Sequence, residues 1–327
     1  MARRPTVRDV AKMAGVSQAT VSYVLNSTPG QTISQPTKDR IRAAVAKLGY
    51  VPSRSARTLR LGRSDLVLLI LPDAVISEVY AHLIDRIGTV LEGHGYSVIF
   101  RRKRQDLSVA NLVASVDPVV VVPLARVTQE EMDPIRMLQI PMLSVQSDGQ
   151  DVNLYDDFQG ATVRVQVEHL VERGHRHLGF ASTTDRRLDE FAAPRTAELR
   201  RICAERGLPE PVVVELELTP ESAADAVAIW REAGVTAVAA LDDTHALAVL
   251  SGLRAHGLGA PADMAVIGAD NATVGQFANP PLTTVDNRAE ATIELVIASI
   301  LAMLDLGEAP ATAPEPSSSR VVVREST

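Results

Sequence analysis

Apolar and small residues in the first fifty positions recur at helical spacing. Val7, Val10, Ala11 and Ala14 fall at i, i+3, i+4 and i+7, a single buried stripe. Thr6 before them and Asp9 three residues on make a capping-box pattern, and Gly15 supplies the backbone angle that ends the helix. Ser17 caps a second helix with Val21, Val24 and Leu25 as its apolar face. A third opens at Ser34 and Pro36, turns Ile41, Ala44, Val45 and Leu48 inward, and stops at Gly49. Tyr50, Val51 and Pro52 make a turn. Arg54, Arg57, Arg60 and Arg63 then recur every third residue. The segment 53–64 is too short to be stably helical alone and reads as a hinge that orders against a partner.

The texture changes at Leu66. Short, uninterrupted apolar runs predict strands at 66–71, 97–100, 119–122, 142–145, 178–181, 212–216, 237–240 and 264–268. Amphipathic stretches between them predict helices, for example at 78–94, 158–173, 192–206, 221–233 and 244–256. Continuous apolar strands alternating with helices mean parallel sheets covered on both faces. The strands are too many for one compact sheet, so two α/β lobes with a cleft at the strand carboxyl ends are expected. Residues 309–319 read as a loop.

Charge divides the chain at the same place. Residues 1–63 hold twelve Lys/Arg against Asp9 and Asp39, a net of +10, while the rest carries 21 basic against 38 acidic residues, a net of −17. A compact basic head is the electrostatic footprint of phosphate binding. A buried helical hairpin without a nucleic-acid role carries the same apolar pattern, but solvated faces usually mix signs. The length of 327 residues calls for two or three units. The single Cys203 excludes an intramolecular disulfide and fits a reducing compartment, as a small helix residue and not a nucleophile. The N-terminal MARRPTVRDVAKM lacks the apolar stretch of a secretory leader, and no apolar run approaches the ~20 residues that span a bilayer, so a soluble, cytoplasmic protein is expected.

TVRDVAKMAGVSQATVSYVLN (6–26) and SQPTKDRIRAAVAKLGYVPSRSARTLRLGRSD (34–65) resemble the headpiece and hinge of the LacI/GalR transcriptional regulators. The likeness continues through LPD (71–73), HLVERGHRHLGF (169–180), LDDTHALAVLSGLRAHGLGAPADMAVIGAD (241–270), PPLTTVDN (280–287) and VVVREST (321–327). It implies an N-terminal all-α helix-turn-helix headpiece (1–52) and a hinge helix or linker (53–64). A two-lobed α/β effector domain with parallel sheets, periplasmic-binding-protein-like (type I), follows at 65–327. Lobe 1 would hold about 65–157 and 288–310, and lobe 2 about 158–287 and 318–327, joined by three crossovers. A homodimer on a pseudo-palindromic operator follows, acting as a repressor under allosteric control of a small effector, a sugar or sugar derivative. No cofactor, metal or membrane role is implied. Because the chain ends without a leucine-heptad helix, a dimer is preferred to a tetramer. Activation in place of repression stays open.

On this resemblance the base-reading positions are Gln18, Ala19 and Tyr23. Arg is usual at the last; it reads guanine bidentately and Tyr does not, so the operator cannot be copied from relatives. Ser17, Thr20 and Ser22 face phosphate or base edges, while Thr6 and Asn26 anchor the backbone. In the hinge, Leu59 is the wedge between base pairs with Ala56 beside it, Ser53 replaces the usual asparagine cap, and Arg54 and Arg57, with Arg60, lie near phosphates. The effector positions are Asp73, Val79, Gln146, Arg195, Asp242, Asp270 and Asn287. An Arg with carboxylates at strand ends suits a polyhydroxy ligand, and the plainer alternative is that Arg195 only pairs with Asp242 or Asp270. Departures gather here: Val79-Tyr80 in place of two phenylalanines, Asp117-Pro118 for Asp-Gly, Glu198 for a glycine, Asp242-Asp243 for Asn-Asp, and Ala269 for an aromatic. Trp230 falls on a helix face away from the cleft. Arg101-Arg102-Lys103-Arg104 is a solvated loop or, less simply, an anion site.

An enzyme reading fails on its parts. His169, His175 and His177 have no metal-ligand spacing, and neither G-x-S-x-G nor a Walker loop occurs. A periplasmic solute-binding protein would share the body but not the basic head.

Overall fold

The computed structural model describes residues 5–25, 30, 32–50, 64–74, 77–104, 108–143, 145–147, 150–152, 154–287, 289–307 and 319–327; at 145–147, 150–152, 154–158 and 289 only the backbone is described. The chain divides into two compact units, 1–64 and 65–327.

The first unit is three helices: α1 (Val7–Ala14), α2 (Gln18–Leu25) and α3 (Gln35–Leu48). The capping box forms as the sequence predicts. The Thr6 N–H donates to Asp9 Oδ2 at 2.8 Å, and the Asp9 N–H returns a bond to Thr6 Oγ1 at 3.4 Å. Gly15 ends α1 at φ 67° and Gly49 ends α3 at φ 60°, left-handed angles that cost other residues strain. Val10, Ala11, Ala14, Val21, Ile41 and Ala44 form the core. The hinge positions Ser53, Arg54, Ala56, Arg57 and Leu59, and Asn26, lie outside the described residues.

Among the described residues the second unit holds two main sheets and a two-stranded ribbon. Strands β1 (Leu66–Leu71), β2 (Ser97–Arg102) and β3 (Val120–Pro123) form a parallel sheet in the order β2-β1-β3. Helix α4 (Glu78–Gly93) packs on one face, and α5 (Val109–Val116) and α6 (Gln129–Met137) on the other. The short strands β4 (Val145–Ser147) and β5 (Gln150–Val152) pair antiparallel before α7 (Leu154–Glu172) enters the second lobe.

The second lobe adds β6 (Leu178–Thr183), α8 (Asp189–Glu205), β7 (Val212–Leu216), α9 (Pro220–Glu232), β8 (Ala237–Ala240), α10 (Asp243–Ala255), β9 (Ala265–Ala269) and β10 (Thr283–Asp286). Helix α11 (Ala289–Met303) returns to the first lobe, packing Ile293, Val296 and Ile300 on β1 and α4, and β11 (Arg320–Val322) closes the second. The larger sheet runs β11-β10-β9-β8-β6-β7, parallel except for β11. Helices α7 and α8 cover one face, α9 and α10 the other. The chain therefore passes between the lobes three times. Strands β1, β3, β6, β8 and β9 bury near-continuous apolar runs, which is why each was legible as a strand, while the edge strands β2 and β7 are only partly buried.

The structure corrects some element boundaries. The expected strand at 142–145 is a single parallel bridge from Met142 to Val121, and pairing resumes only at Val145. Helices α5 and α6 fall between strands, where helices are expected but without stated bounds; α11 and strands β5, β10 and β11 are not among the expected elements. Helix α6 carries Pro134 and a mostly polar face, and β10 opens with two threonines, so neither shows an apolar run. Among the described residues no helix is long and apolar enough to cross a membrane.

Candidate functional site

Two surfaces carry the functional positions, one in each unit. In the head, Ser17 caps α2: its Oγ accepts from the Thr20 N–H at 3.0 Å and shares a 2.9 Å hydrogen bond with the Thr20 hydroxyl. Gln18 and Ala19 are exposed at the helix start, and Tyr23, one turn on, is 37% exposed. The first turn of α2 holds no acid, so nothing on the helix offsets the positive end of its dipole. Arg8 and Lys12 stand exposed on α1. Thr6 is committed locally, since its hydroxyl donates to Asp9 Oδ2 at 2.6 Å. Ser22 is half-buried.

In the body, a cavity of about 900 Å³ opens between the lobes at the carboxyl ends of β1, β3, β6, β8 and β9. Val79, Arg195, Asp242, Asp270 and Asn287 all line it, brought together from α4, α8 and the ends of β8, β9 and β10. Asp73 does not line it, although its neighbours Pro72 and Ala74 do. Gln146 lies in β4, where only the backbone is described.

Arg195 is 5% exposed. Its Nε donates to Gln159 Oε1 at 2.7 Å, and its Nη1 donates to the Leu241 carbonyl. Among the described residues no ion pair joins it to Asp242 or Asp270, so neutral acceptors hold the guanidinium and its charge acts on the carboxylates from a distance.

Asp242 caps α10, accepting the His245 N–H at 2.8 Å and sharing a 2.7 Å bond with its Nδ1. Burial pushes its carboxyl upward, but the His245 bonds and charge, helped by Arg195, outweigh this and hold it below the usual range. Asp243 is buried beneath the cleft. It accepts the Thr284 hydroxyl at 2.5 Å and the Ala272 N–H at 2.6 Å. Its burial dominates, and the nearby Asp270 and Asp242 charges add to it, so its pKa rises to about 7 despite those two bonds. Gly268 accommodates this group: a Cβ there would stand 2.0 Å from Asp243 Oδ1.

Asp270 follows β9 at φ 92°, an angle rare for a side-chain-bearing residue. Its N–H donates to the Val285 carbonyl at 2.9 Å, and Asn287 Nδ2 donates to its Oδ1 at 3.4 Å. Burial raises its pKa, opposed by Arg195. Asn287 in turn accepts from the Thr162 hydroxyl at 2.9 Å and the Ser319 hydroxyl at 3.1 Å.

Direct bonds bridge the lobes at the cleft mouth. Glu78 on α4 accepts the Thr273 N–H at 2.9 Å and the Thr273 hydroxyl, which together lower its pKa. The Arg126 N–H donates to Glu190 at 3.3 Å, and the Tyr80 and Phe191 rings meet edge to face at 6.5 Å and 84°. The Tyr80 hydroxyl donates to the Leu124 carbonyl at 3.0 Å.

Sequence reasoning missed Phe191, Gln159 and Glu78. Phe191 stands one turn before Arg195 on α8, a signal that was available; Gln159 and Glu78 depend on partners far along the chain. Glu198 turns away from the cleft, bonded to Arg164 at 2.7 Å and Arg201 at 2.5 Å. Trp230 is buried on α9 with Nε1 donating to the Val212 carbonyl at 2.9 Å, away from the cleft as expected. Lys103 spends its charge on Glu131 at 2.8 Å and on the Arg126 carbonyl. His169 is buried against Thr327, and burial lowers its pKa. Among the described residues no group of three or more His, Cys, Asp or Glu is arranged to hold a metal ion.

Residues 6–53 match the family described as bacterial regulatory proteins, lacI family, and residues 167–327 match the periplasmic binding protein-like domain. The chain is similar to catabolite control protein A of Priestia megaterium, 30% identical over 296 residues covering 86% of each chain. Among solved structures, a lac repressor dimer bound to operator and the anti-inducer ONPF aligns at a TM-score of 0.74 with 20% identity, over 99% of each chain. A complex of the transcriptional regulator CelR with cellobiose aligns at 0.61 with 24% identity, over 99% of this chain and 100% of that one.

Proposed function

Given that the chain belongs to the LacI family of bacterial regulatory proteins, and is a DNA-binding transcriptional regulator with an effector-binding body, we propose that it acts as a homodimeric repressor of a pseudo-palindromic operator. Gln18, Ala19 and Tyr23 read bases, while Ser17, Thr20 and Ser22 help set the register on phosphate. Two such heads occupy successive major grooves about 34 Å apart. The cleft holds the effector, with Arg195, Asp242, Asp270 and Asn287 as its polar contacts and Val79 on the opposite wall. Occupancy changes the angle between lobes, and that change sets operator affinity. The coupling is reciprocal, so an effector that weakens operator binding is itself weakened equally by operator.

The observation that carries this reading is the exposed, acid-free start of α2 in a head of net charge +10, in the same chain as a cleft that gathers Arg195, Asp242, Asp270 and Asn287. The test is selection of duplexes from a randomised library by the full chain, followed by titration at several salt concentrations. A preferred sequence with a steep salt slope is expected. Gln18→Ala should lose about 1–3 kcal/mol on that sequence and little on random duplex. Equal loss on both would remove Gln18 from base reading, and no preferred duplex at all would end the operator proposal.

A further inference from the structure

The two walls of the cleft differ in chemistry. The first-lobe wall is mainly Pro72, Val79, Leu83, Leu124, Ile293 and Val296. Its polar groups are largely engaged within the protein. The Ser77 hydroxyl accepts the Tyr80 N–H, Glu78 takes both donors of Thr273, and the Tyr80 hydroxyl is bonded to the Leu124 carbonyl. Thr292 remains as a hydroxyl on that side. The second-lobe wall has apolar members too, Leu188, Phe191 and Leu218 among them, but it alone adds a polar cluster, Gln159, Thr162, Arg195, Asp242, Asp270 and Asn287.

A ligand with hydroxyls around its whole rim would bury those facing the first lobe against hydrocarbon. Each buried hydroxyl left without a partner weakens binding about tenfold. An apolar group placed there gains affinity by the same contact. On the opposite wall, Asp242, Asp270 and Glu217 line the cleft with the guanidinium of Arg195, an arrangement that disfavours an anionic head and welcomes hydrogen-bond donors.

We propose that the cleft takes an amphipathic ligand, with an apolar, ring-sized body against the first-lobe wall and a neutral or cationic head that donates hydrogen bonds to Asp242 and Asp270. The proposal rests on the cleft being the effector site and narrows what that effector is: a free sugar fits poorly, whereas a polar head carrying an aryl or alkyl group fits both walls.

The test uses the full chain and calorimetric or thermal-shift titration with five probes: 2-phenylethylamine, 2-phenylethanol, 3-phenylpropanoate, glucose and galactose. The amine or the alcohol should bind at least about tenfold more tightly than either sugar, with the carboxylate weakest. Which of the two wins tells a cationic head from a neutral one. Val79→Asn should weaken the aromatic probes and narrow their advantage over the sugars. Asp270→Asn, nearly isosteric, should remove the preference of the amine over the carboxylate. Sugars binding more tightly than the aromatic probes, or an equal affinity for the carboxylate, would overturn the proposal, as would aromatic probes that fail to bind the folded protein. Sugar binding lost in Asp270→Asn would reject the amphipathic ligand while keeping the effector site. Probe binding indifferent to both substitutions would reject the site itself.

Discussion

Asp243 is a carboxyl group packed against Gly268 that accepts the Thr284 hydroxyl and the Ala272 N–H, with two more carboxyl groups close by. Its native pKa of about 7 lies above the unfolded value of about 4. The native state therefore holds a proton that the unfolded chain has released, and stability from this group falls as pH rises through that interval. The difference in stability between the natural protein and Asp243→Asn should decline from pH ~4 to ~7, by at most about 1.4 kcal/mol per unit, and level off above. Denaturant titrations across this range measure it, and a difference that is flat or rises would contradict the assignment. Gly268→Ala should destabilise the body by several kcal/mol, because the added methyl would push the buried Asp243 carboxyl off its bonds to the Thr284 hydroxyl and the Ala272 N–H; a thermal melt within about 0.5 kcal/mol of the natural protein would refute it. At this scale the sequence was informative where position follows from strand ends. Asp242 and Asp270 follow expected parallel strands, and the family resemblance, not the local pattern, set Asn287 beside them, since the strand it follows was not expected. The bond from Gln159 to Arg195 joins two helices through their packing angle, which no local pattern encodes.

Helices and strands were legible where a short apolar run or a local cap marks them. The head is the clearest case, since the Thr6–Asp9 exchange and the left-handed Gly15 and Gly49 are local devices written within a few residues. Asp9→Ala should therefore cost the head about 1 kcal/mol, read as an earlier melting transition of residues 1–64 with the body transition unchanged. A single unshifted head transition would show that α1 is held by its core alone. Helix α6 could be given no bounds and strand β10 escaped notice for the opposite reason: Pro134 interrupts one, threonines begin the other, and both owe their geometry to the sheet beside them. The antiparallel β11 is a similar case, three residues long and formed only by pairing with β10.

For the molecule as a whole, the division into a cationic head and an anionic bilobed body was visible in charge alone, and the alternation of strands with helices gave two lobes. What charge and periodicity did not reveal is that the lobes touch at the mouth of the cleft through Glu78 and Thr273, residues 195 positions apart. Removing this contact with Glu78→Ala should loosen one lobe on the other. The Thr273 amide should then exchange its hydrogen faster than in the natural protein, while core amides such as those of β8 keep their rates. Unchanged exchange at Thr273 would mean that the Tyr80–Phe191 ring contact and the Arg126–Glu190 bond suffice to hold the mouth.

The burial of Trp230 has a practical corollary. The chain contains one tryptophan, and it is enclosed by the helix–sheet layer behind β7, far from solvent and with its indole N–H tied to a backbone carbonyl. Its emission is therefore an intrinsic gauge of one lobe's integrity. Fluorescence will register the collapse of that layer cleanly while staying silent about the head's melting, so the two transitions can be separated optically without adding a label.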